Sequence, residues 1–471
     1  MKAKITFSEP IFEKCMDVLT WDGREKAAWL LCHTSASKDS IKLLPHKILI
    51  PDKCDYVKRS VGYYELKKDF ITKAMRQAVA EQSHIIQCHI HPQGCDTFSQ
   101  VDEHHELMLM RHINEKVEGM HHASIVFSNS MEVLDSWIYD TQNDQLVRIE
   151  KVIVVGKNKL EVYVPTGRRD YDRELSETLN RTVMALGKPT VAKIGRLDFG
   201  VAGASGLGGF IIEFLARDKV GSITICDTDV IDDTNLNRLP WATETDIGRL
   251  KAEFYAEVVH KISPKVKVCT YKESLYEPHV QEAFSQTDLI IGCLDSGARL
   301  SVNRLACANL IPYFDLGAGI EFKDDKTTFI GGQVFCVIPG SSICLSCSGA
   351  FEIFRDEYIP EKDRQREIRQ GYIQGTDDKT VPLIMSLDSV ISGMGYNQML
   401  KYISGICSEI PFRVHYSDID HQTIASECHD DGCMTCTVKG FVGKGNKVPL
   451  MVPRKNIINP LYFDSFKEIA S

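Results

Sequence analysis

The stretch Leu197–Lys251, LDFGVAGASGLGGFIIEFLARDKVGSITICDTDVIDDTNLNRLPWATETDIGRLK, decides how the chain folds. Leu197, Phe199 and Val201 alternate as in a strand, Gly203-Ala-Ser-Gly206-Leu-Gly208 makes a glycine-rich turn, and Phe210–Ala216 reads as a helix packed on the sheet. A second strand, Ser222–Cys226, runs into Asp227. This is one βαβ half of a doubly wound nucleotide-binding fold, with phosphate expected at the helix N-terminus and Asp227 placed to accept from a ribose hydroxyl. The G-x-G-x-x-G pattern is incomplete: Gly203 and Gly208 are present but Ser205 takes the middle position, which weighs against a dehydrogenase.

The residues beyond Asp227 point to a triphosphate. Asn235, Arg238 and Lys251 gather polar and cationic groups past the second strand, and a dinucleotide site needs no such cluster. The apolar run LIIGCL after Asp288 ends in Asp295, at the carboxyl end of another parallel strand, where a carboxylate can hold Mg²⁺ against phosphates. Together, Asp227-x-Asp229, Asn235-Leu-Asn-Arg238, Ile247-Gly-Arg-Leu-Lys251 and Cys293-Leu-Asp-Ser296 resemble the adenylation domain of ubiquitin-activating-type enzymes, met most simply in the bacterial thiamin and molybdopterin adenylyltransferases ThiF and MoeB. The resemblance covers roughly residues 165 to 440. It implies a Rossmann-like α/β domain in which Gly203, Gly206 and Gly208 form the nucleotide loop and Asp227 binds the ribose. Asn235, Arg238 and Lys251 would hold the triphosphate of ATP and Asp295 Mg²⁺, with Arg299 as an addition to the set. The division suits the chemistry: a carboxylate attacking the α-phosphorus must overcome repulsion between two anions and release pyrophosphate, which cations and positioning assist.

Upstream, Asp170-Tyr-Asp-Arg173 is similar to the R-Y-x-R that opens such domains, in which the last arginine reaches the partner subunit's ATP site. Arg173 is therefore a catalytic candidate and a homodimer is expected, although Asp170 replaces the first arginine and an arginine making surface ion pairs is the plainer alternative.

At 471 residues the chain is long enough for two or three cores, and 43% hydrophobic with 25% charged residues is ordinary globular composition. A net charge of −9 without any contiguous basic block argues against a nucleic-acid partner. The amino terminus lacks a signal-like apolar core and no run approaches about 18 apolar residues, so no membrane partner and a cytoplasmic location are expected. The 16 cysteines, diluted over such a chain, favour metal ligation and buried thiols over disulfides.

Residues 1–150 read as a separate α/β unit with strands at Ala27–Cys32, Ile41–Leu49, Ile85–His89 and Ala123–Phe127; 151–169 read as a linker containing a strand pair, and 170–471 as the adenylation domain. The chemistry of the first unit lies in His89-Ile-His91-Pro92 followed by Ser99-Gln-Val-Asp102. Alternate strand residues share a face, so the two imidazoles lie together, and two histidines with one carboxylate leave an open zinc position, as in a catalytic site. Taken singly, S-x-x-D reads as a helix-capping box and paired histidines as satisfied core residues. The joint spacing, H-x-H, seven residues, then S-x-x-D, resembles the JAMM or JAB metalloproteases, which cleave after the carboxyl terminus of ubiquitin-like proteins. The resemblance implies that His89, His91 and Asp102 hold zinc, that Ser99 donates to the oxyanion, and that Glu25, just before an apolar strand, is the general base, with Glu65 and Glu81 as competitors. His104 and His105 should face solvent.

Cys344-x-x-Cys347 and Cys433-x-x-Cys436 have the bite of a four-thiolate structural zinc site, while Cys226, Cys293, Cys307 and Cys336 fall in apolar runs and read as core. Many relatives carry a nucleophilic cysteine in the segment before the last long helix; Arg369–Ile384, RQGYIQGTDDKTVPLI, has none, and Cys428 is the alternative thiol. These residues imply a bifunctional bacterial enzyme: an ATP-dependent activator of a ubiquitin-like protein's carboxyl terminus joined to a zinc peptidase acting on the same class of protein, with a conjugating enzyme as a further candidate partner. Sulfur-carrier activation for cofactor synthesis, and a scaffold with an inactive zinc half, are the alternatives.

Overall fold

The computed structural model describes residues 2–92, 100–116, 119, 121–128, 132–165, 176–294, 298–323, 326–348, 383–417, 422–426 and 432–448. Ser99, Asp170, Arg173, Asp295 and Cys428 lie outside them, as does most of 369–384.

The first unit runs β1 (Lys2–Ser8), α1 (Glu9–Val18), β2 (Ala27–Ala36), β3 (Ser40–Leu49), β4 (Tyr56–Ser60), β5 (Tyr63–Leu66), α2 (Lys68–Ala80), β6 (His84–Ile90), α3 (Gln100–Lys116), β7 (His122–Phe127), β8 (Val133–Asp140), β9 (Gln145–Arg148), β10 (Lys151–Val155) and β11 (Leu160–Tyr163). Nine strands form one sheet in the order β11-β10-β1-β3-β2-β6-β7-β8-β9. β6, HIIQCHI, is buried along its whole length because both of its faces are covered. The strand pair assigned to a linker belongs to this sheet instead: β10 pairs in parallel with β1 and antiparallel with β11. Its uninterrupted KVIVV, all buried, needs cover that a linker lacks.

The second unit runs α4 (Asn180–Leu186), α5 (Lys188–Ile194), β12 (Asp198–Ala202), α6 (Gly206–Arg217), β13 (Ser222–Cys226), α7 (Lys251–Ile262), β14 (Lys267–Tyr271), α8 (Pro278–Ser285), β15 (Leu289–Gly292), α9 (Ala298–Ala308), β16 (Tyr313–Lys323), β17 (Lys326–Val337), α10 (Met385–Ser404), β18 (Arg413–Ser417) and β19 (Gln422–Ser426). The sheet order is β14-β13-β12-β15-β16-β17-β18-β19. β12 to β16 are parallel, and β17 to β19 continue antiparallel. From β12 the chain winds outward through β13 and β14, then returns to β15 on the other side. The carboxyl ends of β12 and β15 therefore flank the topological switch point, where open α/β sheets bind ligands.

The two units share one apolar core: Leu44, Ile153, Val155 and Leu160 of the first are buried with the β12–β15 core of the second. Beside it lies a buried ionic seam. Lys151 Nζ is 2.8 Å from Asp198 Oδ2 and 2.5 Å from Asp288 Oδ2. Lys4 Nζ is 2.7 Å from Asp288 Oδ1 and 3.6 Å from Asp198 Oδ2. Lys42 Nζ donates to the carbonyls of Ser285 (2.6 Å) and Thr287 (2.8 Å). Burial pushes the Lys42 ammonium far below its usual range. Burial also opposes charge on Asp198, but Lys151 and Lys4 outweigh it and hold that carboxyl well below the usual range. Such a cluster is tolerated because the charges and their hydrogen bonds are mutually satisfied.

A second contact comes from the other end of the chain. The 3-10 turn Gly445–Lys447 lies against β2 so closely that a Cβ on Gly445 would be 2.4 Å from the Thr34 carbonyl oxygen. Here His33 and His46 stack with ring centroids 3.9 Å apart, and Lys447 donates to the Glu81 carbonyl at 2.7 Å.

Candidate functional site

The loop between β12 and α6 is fixed by close backbone approach. Gly203 has φ +90°, and a Cβ on it would lie 2.6 Å from the Cys293 carbonyl oxygen at the end of β15. A Cβ on Gly208 would lie 2.0 Å from the Gly203 carbonyl oxygen, so only glycine closes this turn. α6 starts at Gly206, and its first N–H groups have no intrahelical acceptors. They open at the switch point, the arrangement that suits a phosphate.

Asp227, at the end of β13, ties the loop down: its carboxylate accepts from Ala204 N at 2.6 Å and from Asp229 N at 2.9 Å. Burial pushes its carboxyl up, opposed by Lys251 and these two donors. Lys251, distant in sequence, arrives because the segment after Asp229 doubles back. Ile231 N donates to Arg249 O at 2.9 Å and Lys251 N to Asp229 O at 3.0 Å. The Lys251 side chain is buried, with Nζ 3.0 Å from Asp229 Oδ2. Asn235 is buried and its Oδ1 accepts from Asp232 N at 3.1 Å, closing a reciprocal cap. Arg238 is braced by Thr234 O (2.9 Å) and Asn237 Oδ1 (3.2 Å). Arg299, expected as an addition to this set, forms a buried two-pronged pair with Asp315, Nη2 to Oδ2 at 2.5 Å and Nε to Oδ1 at 3.0 Å.

A sequence profile described as the ThiF family matches residues 179–435. The chain belongs to the ThiF family. It is 35% identical over 130 residues to the adenylyltransferase and sulfurtransferase UBA4 of Meyerozyma guilliermondii, covering 27% of this chain and 30% of that protein. It is 26% identical over 239 residues to the ubiquitin-like modifier-activating enzyme 5 of Culex quinquefasciatus, covering 47% and 55%. The chain thus spans about a third to just over half of these relatives. A crystal structure of E. coli MccB is similar with a TM-score of 0.46 at 17% identity, covering 56% of this chain and 75% of that one.

Within this ThiF-family chain the four thiols Cys344, Cys347, Cys433 and Cys436 converge, with every pair of sulfurs within 4.8 Å. The edges Cys344–Cys433 at 3.8 Å, Cys344–Cys347 at 3.9 Å and Cys347–Cys436 at 3.7 Å match the roughly 3.8 Å edge of a tetrahedron with Zn–S bonds of about 2.3 Å. Among the described residues this is the only such group of metal-ligating side chains. Cys226, Cys307 and Cys336 are buried and Cys293 is half-buried.

The family match begins after the first unit, whose own cluster sits at the end of β6. His89 Nε2 and His91 Nε2 are 3.0 Å apart and both residues are buried. Two ring nitrogens converging in this way fit a shared cation. β2 runs antiparallel to β6 with Ala27 opposite His89, and Ile90 N reaches Lys26 O at 3.2 Å, so Glu25 comes in beside His91. Glu25 is only 5% exposed. Of its competitors, Glu65 faces solvent and Glu81 is engaged by Lys47 at 2.6 Å. Asp102 falls in the first turn of α3, and His104 and His105 are exposed.

Sequence reasoning missed Tyr64 and Glu106. Tyr64 lies with its ring centroid 5.4 Å from that of His89, and Glu106 accepts from Gln87 Nε2 at 3.1 Å. Burial first, then the charge of Glu106 and, less, that of Glu25, push the Tyr64 hydroxyl up. The spacing of Glu106 four residues after Asp102, on the same helix face, was the available signal.

Among the described residues no helix is long and apolar enough to cross a membrane.

Proposed function

We propose that the chain activates the carboxyl terminus of a ubiquitin-like protein by adenylation and, in its first unit, hydrolyses the bond beyond such a terminus. The observation that carries the adenylation reading is the Gly203–Gly208 loop at the switch point, with Asp227 tied to Ala204 N and Lys251 brought back beside Asp229. ATP would lie with phosphates at the start of α6 and ribose at Asp227. Arg238, Lys251 and Arg173 would neutralise the phosphates as the tail carboxylate oxygen bonds to the α-phosphorus and the bond to the β-phosphate breaks, releasing pyrophosphate. Asp295 would hold the Mg²⁺ that accompanies the triphosphate. A homodimer, which would place Arg173 at the partner's site, belongs to this reading. ATP/pyrophosphate exchange with candidate ubiquitin-like proteins tests it: exchange by wild type that drops at least about a hundredfold in Asp295→Ala supports it, and equal rates refute it.

In the first unit, the converging His89 and His91 support zinc held with Asp102 as third ligand. When bound, zinc supplies Lewis acidity toward a scissile carbonyl and acidifies a water. Glu25 would take the proton from the attacking water and return it to the leaving amine, and Ser99 would donate to the tetrahedral oxygen. Cleavage of a carboxyl-terminally extended ubiquitin-like protein by wild type and Glu25→Ala is the test; equal rates remove Glu25 from the role. The four-thiolate site would hold a structural zinc. One relative is named a sulfurtransferase as well as an adenylyltransferase, so a thiocarboxylate product would redirect the pathway to sulfur carriage without altering the adenylation step.

A further inference from the structure

Asp388, in the first turn of α10, is 1% exposed, and neither of its carboxylate oxygens has a hydrogen-bond partner among the described residues. It is aimed at the start of α6: a Cβ built on Gly206 would lie 2.0 Å from its Oδ2 and 3.4 Å from the Arg238 carbonyl oxygen. α10 packs along α6 here, with Ser392 Oγ donating to the Leu207 carbonyl at 3.0 Å, so the placement belongs to a fixed helix pair. Sequence reading passed over Asp388 because an aspartate in a first helical turn ordinarily faces water and the helix dipole.

A buried carboxylate without a donor is costly when ionised, and without an acceptor its proton is equally unmet when neutral. The groups around it decide which demand a ligand would meet. Arg238 faces it from the segment after β13. From the end of β15 comes the Cys293 thiol, and beyond that the Arg299–Asp315 pair. α6 presents Gly206 and Leu207. The start of a helix and an arginine repel a cation and attract an anion. An ionised Asp388 would repel that anion, whereas a protonated one gains the acceptor it lacks.

We propose that Asp388 contacts a nucleotide phosphate as a neutral carboxylic acid, donating to an oxygen that also accepts from the first N–H groups of α6. The inference rests on Gly203–Gly208 being the nucleotide loop, and it adds a residue to that site and a condition on its charge. Binding above the pH at which Asp388 ionises then draws one proton from solvent.

Calorimetric titration with ATP and Mg²⁺ at pH 6 and pH 8, on wild type and Asp388→Asn, tests this. Asparagine keeps the shape and a donor but cannot ionise, and the titration of ATP itself cancels in the ratio of the two proteins. Burial pushes the Asp388 carboxyl up to about 6, so the protonated fraction falls from about one half to about one hundredth, and wild-type affinity should drop about 50-fold relative to Asp388→Asn. Repeating the wild-type titration at pH 8 in two buffers of different ionisation enthalpy should show uptake approaching one proton per ATP, which decides the matter even if the variant does not fold. A ratio constant within about twofold, or binding without proton uptake, overturns the role of Asp388 and leaves the loop reading intact. No ATP binding by wild type at either pH overturns both.

Discussion

Replacing Asp288 by asparagine probes the ionic seam that joins the two halves. The Asp288 side chain is fully buried; it accepts from Lys4 Nζ at 2.7 Å, Lys151 Nζ at 2.5 Å and Asp198 N at 2.9 Å. With the Lys42 ammonium disfavoured by burial, the seam balances two lysines, Lys4 and Lys151, against two aspartates, Asp198 and Asp288. Asp288→Asn leaves one cation in excess, and the new amide turns donors toward donors. Breaking a buried pair from one side costs about 3–5 kcal/mol, which is the loss expected in equilibrium urea unfolding at pH 7.5 followed by circular dichroism and tryptophan fluorescence. Removing the excess cation should repair part of the damage: Lys4→Met in the Asp288→Asn background is expected to be coupled to it by at least about 1 kcal/mol. The pH dependence has a definite sign. Asp198 is depressed in the folded state, so its contribution is complete above the unfolded carboxyl value of about 4 and fades as pH falls below it toward the folded value. The loss caused by Asp288→Asn should therefore be level from pH 6 to 8. A loss under about 1 kcal/mol, or strict additivity in the double variant, refutes the seam as a buried, mutually dependent cluster.

Three further outcomes follow from the geometry. Cys433→Ala should lose one equivalent of zinc per chain by atomic emission, while His89→Ala should lose a different equivalent; full retention by either variant contradicts its assignment. Gly208→Ala puts a methyl 2.0 Å from the Gly203 carbonyl oxygen, and should abolish ATP binding and cost at least about 2 kcal/mol in denaturant titration. Burial pushes His33 down to about 2 and His46 and His84 to about 4. Their contribution as neutral imidazoles is complete above about 6.5, and stability should fall as pH drops toward 4 by about 1.4 kcal/mol per pH unit for each histidine, up to about 4 for the three together. A His33→Phe, His46→Gln, His84→Gln variant with an unchanged slope rules the histidines out.

What could be read from the chain was local. Gly203 to Gly208 announces its turn because glycines so spaced between a strand and a helix mark a tight backbone turn, closed here by Gly208 against the Gly203 carbonyl, and His89-x-His91 announces a shared strand face through a two-residue period. The C-x-x-C pairs are similarly self-contained, and only their meeting across the fold had to be supplied by resemblance. Contacts between distant segments left no such mark. Lys4 lies in a strand between buried Ala3 and Ile5, and alternation alone sends it to solvent. It is buried because the second unit covers that face. Likewise KVIVV at 151–155 could have closed any sheet, and nothing within it names β1 as its neighbour. The pairing of Arg299 with Asp315 left no mark either, because Asp315 is 16 residues away in a run that reads as plain core.

The shared core and the lysine–aspartate seam also bear on how such a gene can change. Splitting it near residue 165 would bare a stripe of three ammonium groups on one product, two carboxylates on the other, and greasy strand faces on both. Fission is thus closed off as a route, and a lineage that no longer needs one activity should shed it by eroding individual side chains while keeping the whole scaffold.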